Sequence, residues 1–233
     1  MIFYLEGVDG VGKSTQMKAL MREFKDAVFT KEPGATELGA EIRRLVLAGL
    51  ASSKRAEALM FLADRAEHYE QVLRFGVACG EGGERLVFSD RGFVSGVAYA
   101  LANGGEMCEL LALNSFALGG SLFEAGKFEN VRFVCFEASE ELLRARLGER
   151  FGGGAGGGAG GGAGGGAGGG AGGGAPDAIE KRGVGYLLEV QSRIKETLKT
   201  LGKFECETLV VDASLPEVEV TRQIVEFVKN ERG

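Results

Sequence analysis

The sequence predicts an α/β domain: a five-stranded parallel sheet with helices on both faces. Three observations lead there. Short, continuous apolar runs alternate with longer stretches of helical periodicity, the pattern of parallel strands joined by right-handed crossovers. The runs are apolar on both faces, as strands buried between two helix layers must be. A glycine-rich loop follows the first run and opens a helix, at the carboxyl edge of the sheet where ligands sit in such folds.

The elements run in order along the chain. Ile2-Phe3-Tyr4-Leu5-Glu6 is an apolar run ending at Gly7 and reads as the first strand. A helix is expected from Lys13 to Lys25, with Met17, Leu20, Met21 and Phe24 at helical spacing. Val28 to Lys31 is the second strand, stopped by Glu32-Pro33-Gly34. Thr36 to Ala48 and Ser53 to Phe75 read as helices. Ser53 can cap the latter, and Leu59, Leu62, Ala66, Tyr69 and Leu73 form its apolar stripe. Leu86-Val87-Phe88 marks the third strand within Arg85 to Asp90. Helices are expected over Ser95 to Leu101 and Glu106 to Leu118, and the fourth strand over Val131 to Phe136. Ser139 can cap a helix running toward Arg150. Ile179 to Leu201 is helical, Thr208 to Val211 is the fifth strand, and Pro216 to Lys229 is the last helix.

Of the 233 residues, those from Gly152 to Ala175 are six copies of Gly-Gly-Gly-Ala. The other 209 have ordinary composition, enough for one sizeable core and too few for two typical enzymatic domains. The fifth strand lies beyond the tract, so the tract interrupts one domain, 1–233, and does not join two. No apolar run reaches the roughly 18 residues that span a membrane. The start lacks a basic region and meets an acid at Glu6, so a cytoplasmic chain is expected. A net charge of −6 argues against a nucleic-acid partner, though a few arginines can still make a local anion site. Cys79, Cys108, Cys135 and Cys206 form no CxxC pair, and His68 is the one histidine. Reduced, mostly buried thiols and no zinc are expected.

Gly7-Val8-Asp9-Gly10-Val11-Gly12-Lys13-Ser14 fits G-x-x-x-x-G-K-[ST], with a strand before it and a helix after it. The glycines let the backbone curl until successive N–H groups converge on phosphate oxygens, and the helix N-terminus adds positive potential. Lys13 can reach the outer phosphates. Ser14 can ligate Mg²⁺, with Thr15 beside it. The motif therefore points to a nucleoside triphosphate with Mg²⁺ and leaves the phosphate acceptor open. A kinase of a small acceptor competes with a regulatory or mechanical NTPase. The guanine-reading Asn-Lys-x-Asp is absent, and a motor would normally bring further domains.

Four further stretches bear on the choice. Asp9 stands inside the loop. Lys31-Glu32-Pro33-Gly34 follows the second strand. Phe61-Leu62-Ala63-Asp64-Arg65 places Phe61 and Arg65 four apart on one helix face. Asp90-Arg91-Gly92-Phe93-Val94-Ser95-Gly96-Val97-Ala98-Tyr99 follows the third strand. Together these resemble the thymidylate kinase family, whose usual forms are G-[VL]-[DE]-G-x-G-K-[ST]-T, [RK]-E-P-G, F-x-x-x-R and D-R-[YHS]-x-x-S-x-x-A-[YF]. The resemblance covers the chain outside the glycine tract. It implies a P-loop nucleoside monophosphate kinase fold, phosphorylation of dTMP to dTDP with ATP and Mg²⁺, and a homodimer packed through helices such as 53–75.

The resemblance also implies roles. Phe61 would stack on the thymine ring, worth about 1–3 kcal/mol on the base-stacking scale. Arg65 would hydrogen-bond the base edge. Arg91 would pair with the acceptor phosphate, and Arg43, with Arg44 beside it, would be a second phosphate-binding arginine. Asp9 would meet the sugar 3′-hydroxyl and, through water, the metal; Asp90 would hold the metal through water. Tyr99 would crowd the sugar 2′ position. Ser95 and Gly96 would line the base pocket, where Gly96 has no side chain to offer the base. Glu32 would orient groups around the acceptor. His68 is expected on a helix surface, without a role. The acceptor nucleophile would be a phosphate oxygen, mostly dianionic at pH 7, so no general base is needed.

A lid region, 139–182, would supply the remaining positive charge, because Gly10 stands where some family members have a P-loop arginine. Arg144, Arg146 and Arg150 precede the tract; Lys181 and Arg182 come after it. Arg146 or Arg150 would be the catalytic arginine. The sequence departs from the family's Asp-Arg-[FI]-Glu in reading Asp177-Ala178-Ile179-Glu180. The tract itself carries no side chain for chemistry and is expected to form a flexible coil, with no role or as a tuned lid. Asp212-Ala213-Ser214 resembles the family's adenine-contacting loop. Two alternatives to dTMP phosphorylation are a kinase of another nucleotide or nucleoside, such as dUMP, and a P-loop ATP-binding switch protein without transfer activity.

Overall fold

The computed structural model describes residues 1–74, 85–120, 130–152, 177–202 and 207–231. The Gly-Gly-Gly-Ala repeats, Phe75, Cys79 and Cys206 lie outside that set, apart from the backbone of Gly152. Five strands form one parallel sheet: β1 (Ile2–Glu6), β2 (Val28–Lys31), β3 (Val87–Asp90), β4 (Val131–Glu137) and β5 (Thr208–Asp212), in the order β2-β3-β1-β4-β5. The helices are α1 (Lys13–Glu23), α2 (Glu37–Leu47), α3 (Lys54–His68), α4 (Phe93–Ala102), α5 (Met107–Ala117), α6 (Glu140–Gly152), α7 (Gly183–Leu201) and α8 (Glu217–Asn230). This is the α/β, doubly covered parallel sheet that the alternating pattern predicts.

β1 lies at the sheet's centre and is buried along its whole length, as a strand flanked on both edges and both faces must be. Its register fixes what each face carries. Phe3 pairs with Phe88, which pairs with Phe29, so three phenylalanines stack side by side at 5.5 and 5.2 Å. Phe24, just past α1, and Phe227 of α8 close over them. One residue on, the pleat turns Tyr4 to the other face. There it stacks on Phe133 at 5.8 Å and meets the edge of Phe93 from α4. Each such pair adds about 0.5–1.5 kcal/mol beyond the area it buries. β2 and β5 are the edges and correspondingly less buried; Val210 is exposed.

Local caps set the helix starts. Thr36 Oγ1 accepts the Gly39 amide, Ser53 Oγ that of Ala56 and Ser139 Oγ that of Leu142, each worth about 1 kcal/mol. The stretch from Ile179 is not continuously helical. It forms a 3₁₀ turn, Glu180–Arg182, before α7 begins at Gly183, whose φ of 84° breaks the helical run.

Several expected core positions face outward. Met21 is exposed, and Leu59 is 56% exposed. α3 turns the other way: its buried residues are Glu57, Asp64, Arg65 and His68. It then widens into a π-helical turn, Tyr69–Leu73, that buries Leu73. Cys135 is buried, with its thiol pushed up to about 12 by burial, whereas Cys108 is exposed. Among the described residues no cluster of His, Cys, Asp and Glu could hold a metal by itself, and no helix is long and apolar enough to cross a membrane.

Candidate active site

The phosphate loop grows out of β1. Gly7 sits at φ 156°, where an added Cβ would lie 3.0 Å from Val11 and 3.2 Å from the Phe136 carbonyl. Gly12, at φ 98°, leads into α1 without any side-chain cap. The first amides of α1 are therefore not taken by a capping side chain and suit an anion. Lys13 is buried; its Nζ donates to the carbonyls of Gly7 at 2.9 Å and Val8 at 2.8 Å, spanning the loop. Burial first, then the nearby Arg91, lower its pKa to about 8. Ser14 and Thr15 are exposed at the loop's mouth.

β3 lies beside β1 and brings Asp90 opposite Leu5. Ser14 Oγ donates to Asp90 Oδ2 at 3.3 Å, while the buried Oδ1 has no hydrogen-bond partner among the described residues. A hydroxyl and a carboxylate with one oxygen unpaired, at a phosphate loop, are the hard oxygen donors that Mg²⁺ favours.

Arg91 is the one described non-glycine residue at positive φ, 70°. Such a conformation costs on the order of 1–3 kcal/mol and persists where surrounding contacts fix it. Its amide continues the sheet by donating to Leu5, while its guanidinium turns back under the loop. It donates to the Gly7 carbonyl, to Asp9 Oδ1 at 2.8 Å and to Ser95 Oγ at 3.3 Å, and lies 5.7 Å from the Tyr99 ring centroid. Burial opposes the charge, but Asp9 and Tyr99 outweigh it and hold the guanidinium above its ordinary value. The Tyr99 hydroxyl donates to Asp9 Oδ2 at 3.4 Å; burial and Asp9 push that phenol well up, so it stays protonated.

Next to this junction opens a cleft of about 660 Å³, part of it open to solvent. It brings together Asp9, Glu32, Arg43, Phe61, Arg65, Arg91, Ser95, Gly96 and Tyr99, all nine residues that the motifs nominate for the acceptor. Arg43 Nη1 reaches the Pro33 carbonyl at 3.4 Å, whereas Arg44 pairs with exposed Glu41; Arg43 is the one at the cleft. Pro33, Leu47, Asp64, Gly92, Asp177 and Ile179 complete the lining.

The floor is a buried ion network. Arg65 donates through Nε to Glu32 Oε2 at 2.9 Å, through Nη1 to Asn114 Oδ1 at 2.8 Å and through Nη2 to the Gly92 carbonyl at 3.2 Å. Gly96 makes room for it: a Cβ there would lie 2.8 Å from Arg65 Nη2. The expectation of a surface His68 is overturned. It is fully buried, with Nδ1 2.8 Å from Glu32 Oε1 and Nε2 2.6 Å from Thr30 Oγ1. Its partners lie 36 and 38 residues upstream, so no local pattern announces them. Burial pushes the Glu32 carboxyl up, but Arg65 and His68 pull harder and leave it below its usual range. Glu6 is a second residue that the motifs do not nominate. Buried at the end of β1, it accepts the Ser95 amide at 3.1 Å and the Ser95 hydroxyl, and burial raises its pKa against that hydrogen bond. An acid closing an otherwise apolar strand is its only sequence signal.

Of the basic residues around the tract, Arg146 reaches the phosphate loop. It donates to Gly10 O at 3.0 Å and Ala213 O at 2.8 Å, tying the loop to the turn after β5. Arg144 pairs with exposed Glu140, and Arg182 pairs with Glu57, away from the loop. Arg150 lies on α6; its side chain is outside the described set.

A strand–loop–helix phosphate cradle beside an arginine-rich acceptor cleft defines a P-loop phosphotransferase of the nucleoside monophosphate kinase class. The family model for thymidylate kinase matches residues 5–149. The chain is 44% identical over 232 residues to the thymidylate kinase of Campylobacter curvus, covering 98% of this chain and 100% of that one. It is 39% identical to that of Wolinella succinogenes, covering 97% and 96%. The crystal structure of thymidylate kinase from Ehrlichia chaffeensis matches the fold with a TM-score of 0.63 at 16% identity, over 98% of each chain. The chain belongs to the thymidylate kinase family. Nothing in these matches favours the switch protein or a kinase of another acceptor.

Proposed function

We infer that the chain phosphorylates dTMP to dTDP with ATP as donor. One observation carries the reading: Asp9 and Arg91 join the phosphate loop directly to the cleft that holds Phe61, Arg65 and Tyr99. A donor phosphate on the loop and an acceptor phosphate at Arg91 would meet there.

In this reading Phe61 stacks on thymine and Arg65 reads the base edge with the N–H groups its network leaves over. Tyr99 fills the space beside the sugar's 2′ carbon, and Asp9 faces the 3′-hydroxyl. Arg43 and Arg91 hold the acceptor phosphate, whose oxygen attacks the γ-phosphorus as the bond to the β–γ bridging oxygen breaks. Lys13 and the amides at the start of α1 bind the outer donor phosphates. To reach them, Lys13 exchanges its hydrogen bonds to Gly7 and Val8 for phosphate oxygens. Arg146 is placed to add charge over the loop, and Arg150 remains a second candidate. Ser14, with Asp90 and Asp9 through water, would hold Mg²⁺, which would shield the phosphate charges when bound. Alignment and charge neutralisation carry such a transfer.

The test is ADP release with Mg²⁺ against dTMP, dUMP, dCMP, dGMP, AMP and thymidine. A strong preference for dTMP is expected. A preference for another acceptor would overturn the base-pocket roles and keep the donor loop. We further propose a cytoplasmic homodimer. Adjacent α3 and α5 leave Leu59, Leu113 and Phe116 exposed, Phe116 by 86%. Phe116→Asp should therefore shift the mass seen by sedimentation from two chains to one; an unchanged mass would remove that face from the interface.

A further inference from the structure

Arg182 has no task in the transfer just described, yet it is tightly held. It ends the 3₁₀ turn Glu180–Arg182, where α7 begins. Its Nη2 donates to both carboxylate oxygens of Glu57, at 2.9 and 2.7 Å. Its Nη1 donates to the Tyr186 hydroxyl at 2.7 Å and to Asn103 Oδ1 at 3.4 Å. Its guanidinium carbon lies 5.0 Å from the Tyr186 ring centroid. The Glu57 side chain is 8% exposed, so this is not a solvated surface pair of the kind that contributes little. Glu57 comes from α3, Asn103 from the end of α4 and Tyr186 from α7. One guanidinium thus ties three elements together.

The segment that this pair anchors is a wall of the acceptor cleft. Asp177 and Ile179 line the cleft, Ile179 is buried, and the Ala178 amide donates to the Leu47 carbonyl at 3.2 Å. On its other side the anchor reaches Tyr99, because the Tyr186 ring lies 6.1 Å from it. We propose that Arg182 and Glu57 are a positioning pair that fastens residues 177–182 across the acceptor cleft and backs Tyr99. They set dTMP affinity and discrimination against the 2′-hydroxyl without touching the nucleotide. This rests on the reading of the cleft as the dTMP site.

The experiment compares wild type with Arg182→Ala and Arg182→Lys, using dTMP, ribothymidine monophosphate and ATP as varied substrates. For Arg182→Ala, KM for dTMP should rise about tenfold, KM for ATP should stay within about twofold, and the preference for dTMP over the ribonucleotide should fall several-fold. Lysine keeps the charge but not the two-pronged grip, so Arg182→Lys should fall between. KM values that rise in step for both substrates, or do not move, would overturn the proposal, since loosened packing alone has no reason to spare ATP. Amide hydrogen exchange provides a readout independent of turnover. Residues 177–182 should exchange faster in Arg182→Ala while α1 is unchanged; unchanged exchange in that segment would also overturn it. A wild type inactive on dTMP would sink the reading of the cleft, and the exchange would still decide whether the pair fastens the segment.

Discussion

The two halves of the site are built in opposite ways. The donor half is one continuous loop. Its proposed binding groups are backbone amides shaped by Gly7, Gly10 and Gly12, with Lys13 and Ser14 immediately after them. The acceptor half is assembled from α2, α3, α4 and the loop segments around Glu32, Arg91 and Asp177, and its floor is a buried polar network: Arg65, Glu32, His68 and Asn114. Phosphate is the same in every nucleotide, so local backbone suffices to bind it. A base and a sugar must be told apart, so fixed side chains are brought in from a distance. The donor half should therefore fail in chemistry while folding normally, and the buried floor of the acceptor half should fail in stability and affinity together.

The sharpest test of that division is Lys13→Ala. Removing one positive donor from a transition state that develops charge on the transferring phosphoryl should lower kcat by about 10³-fold. Tm should hold or rise slightly, because a buried cation with a depressed pKa is no asset to the fold. A large fall in Tm would show that the span from Lys13 to Gly7 and Val8 is structural.

The contrasting change is Glu32→Gln. It leaves Arg65 and His68 around a neutral amide in a site where Glu32 is 4% exposed. Breaking a buried ion pair from one side costs on the order of 3–5 kcal/mol, and KM for dTMP should rise as Arg65 loses its hold. The pH dependence has a definite sign. The folded-state pKa of Glu32 lies below its ordinary value near 4.5. Its stabilisation is therefore complete above that value and is lost as pH falls through the lower folded value. The Tm gap between wild type and Glu32→Gln should be constant from pH 7 to about 5 and narrow below about 4.5. A gap that stays constant into the acid range would mean that Glu32 carries no charge in the fold.

The same contrast explains what the sequence makes legible. All five strands, the phosphate loop and the nine cleft residues can be found because each leaves a local trace: an apolar run, a glycine spacing, a motif. α3 leaves a misleading one. Helical spacing puts Leu59 inside and His68 outside, and the structure reverses both. Periodicity assumes that the buried face of a helix is apolar. Here that face is polar because Glu32, Thr30 and Gly34 wait on the far side with matching groups. Pairings 30 to 38 residues apart have no period. Glu57 and Arg182, 125 residues apart, are beyond any local reading for the same reason.

Gly96 gives a finer test, within the acceptor half alone. A methyl group at this position would lie 2.8 Å from Arg65 Nη2, too close for ordinary contact, and the guanidinium must shift. Gly96→Ala should raise KM for dTMP by about tenfold, roughly 1.4 kcal/mol, and leave KM for ATP alone. Stability should change little, because alanine suits a helix interior better than glycine by roughly 0.5–1 kcal/mol and so offsets part of the crowding. An unchanged KM for dTMP would mean that Arg65 does not read the base from where it lies.

The smallest effect is expected from the most conspicuous feature of the sequence. Residues 152–175 offer only methyl groups and backbone, so neither half of the site can draw chemistry from them. Removing these 24 of the 44 residues in the lid region 139–182 shortens it about twofold, which changes closure entropy by only about 0.6 kcal/mol. The segment beyond the tract is also fastened independently of it, by the Ala178 amide on Leu47 and by Arg182 on Glu57. Deletion of 152–175 should accordingly leave kcat and both KM values within about twofold. A fall in kcat with unchanged KM values would instead assign the tract to the step that closes the site or releases product. In that case Arg146, on the helix that leads into the tract, would be the next residue to test.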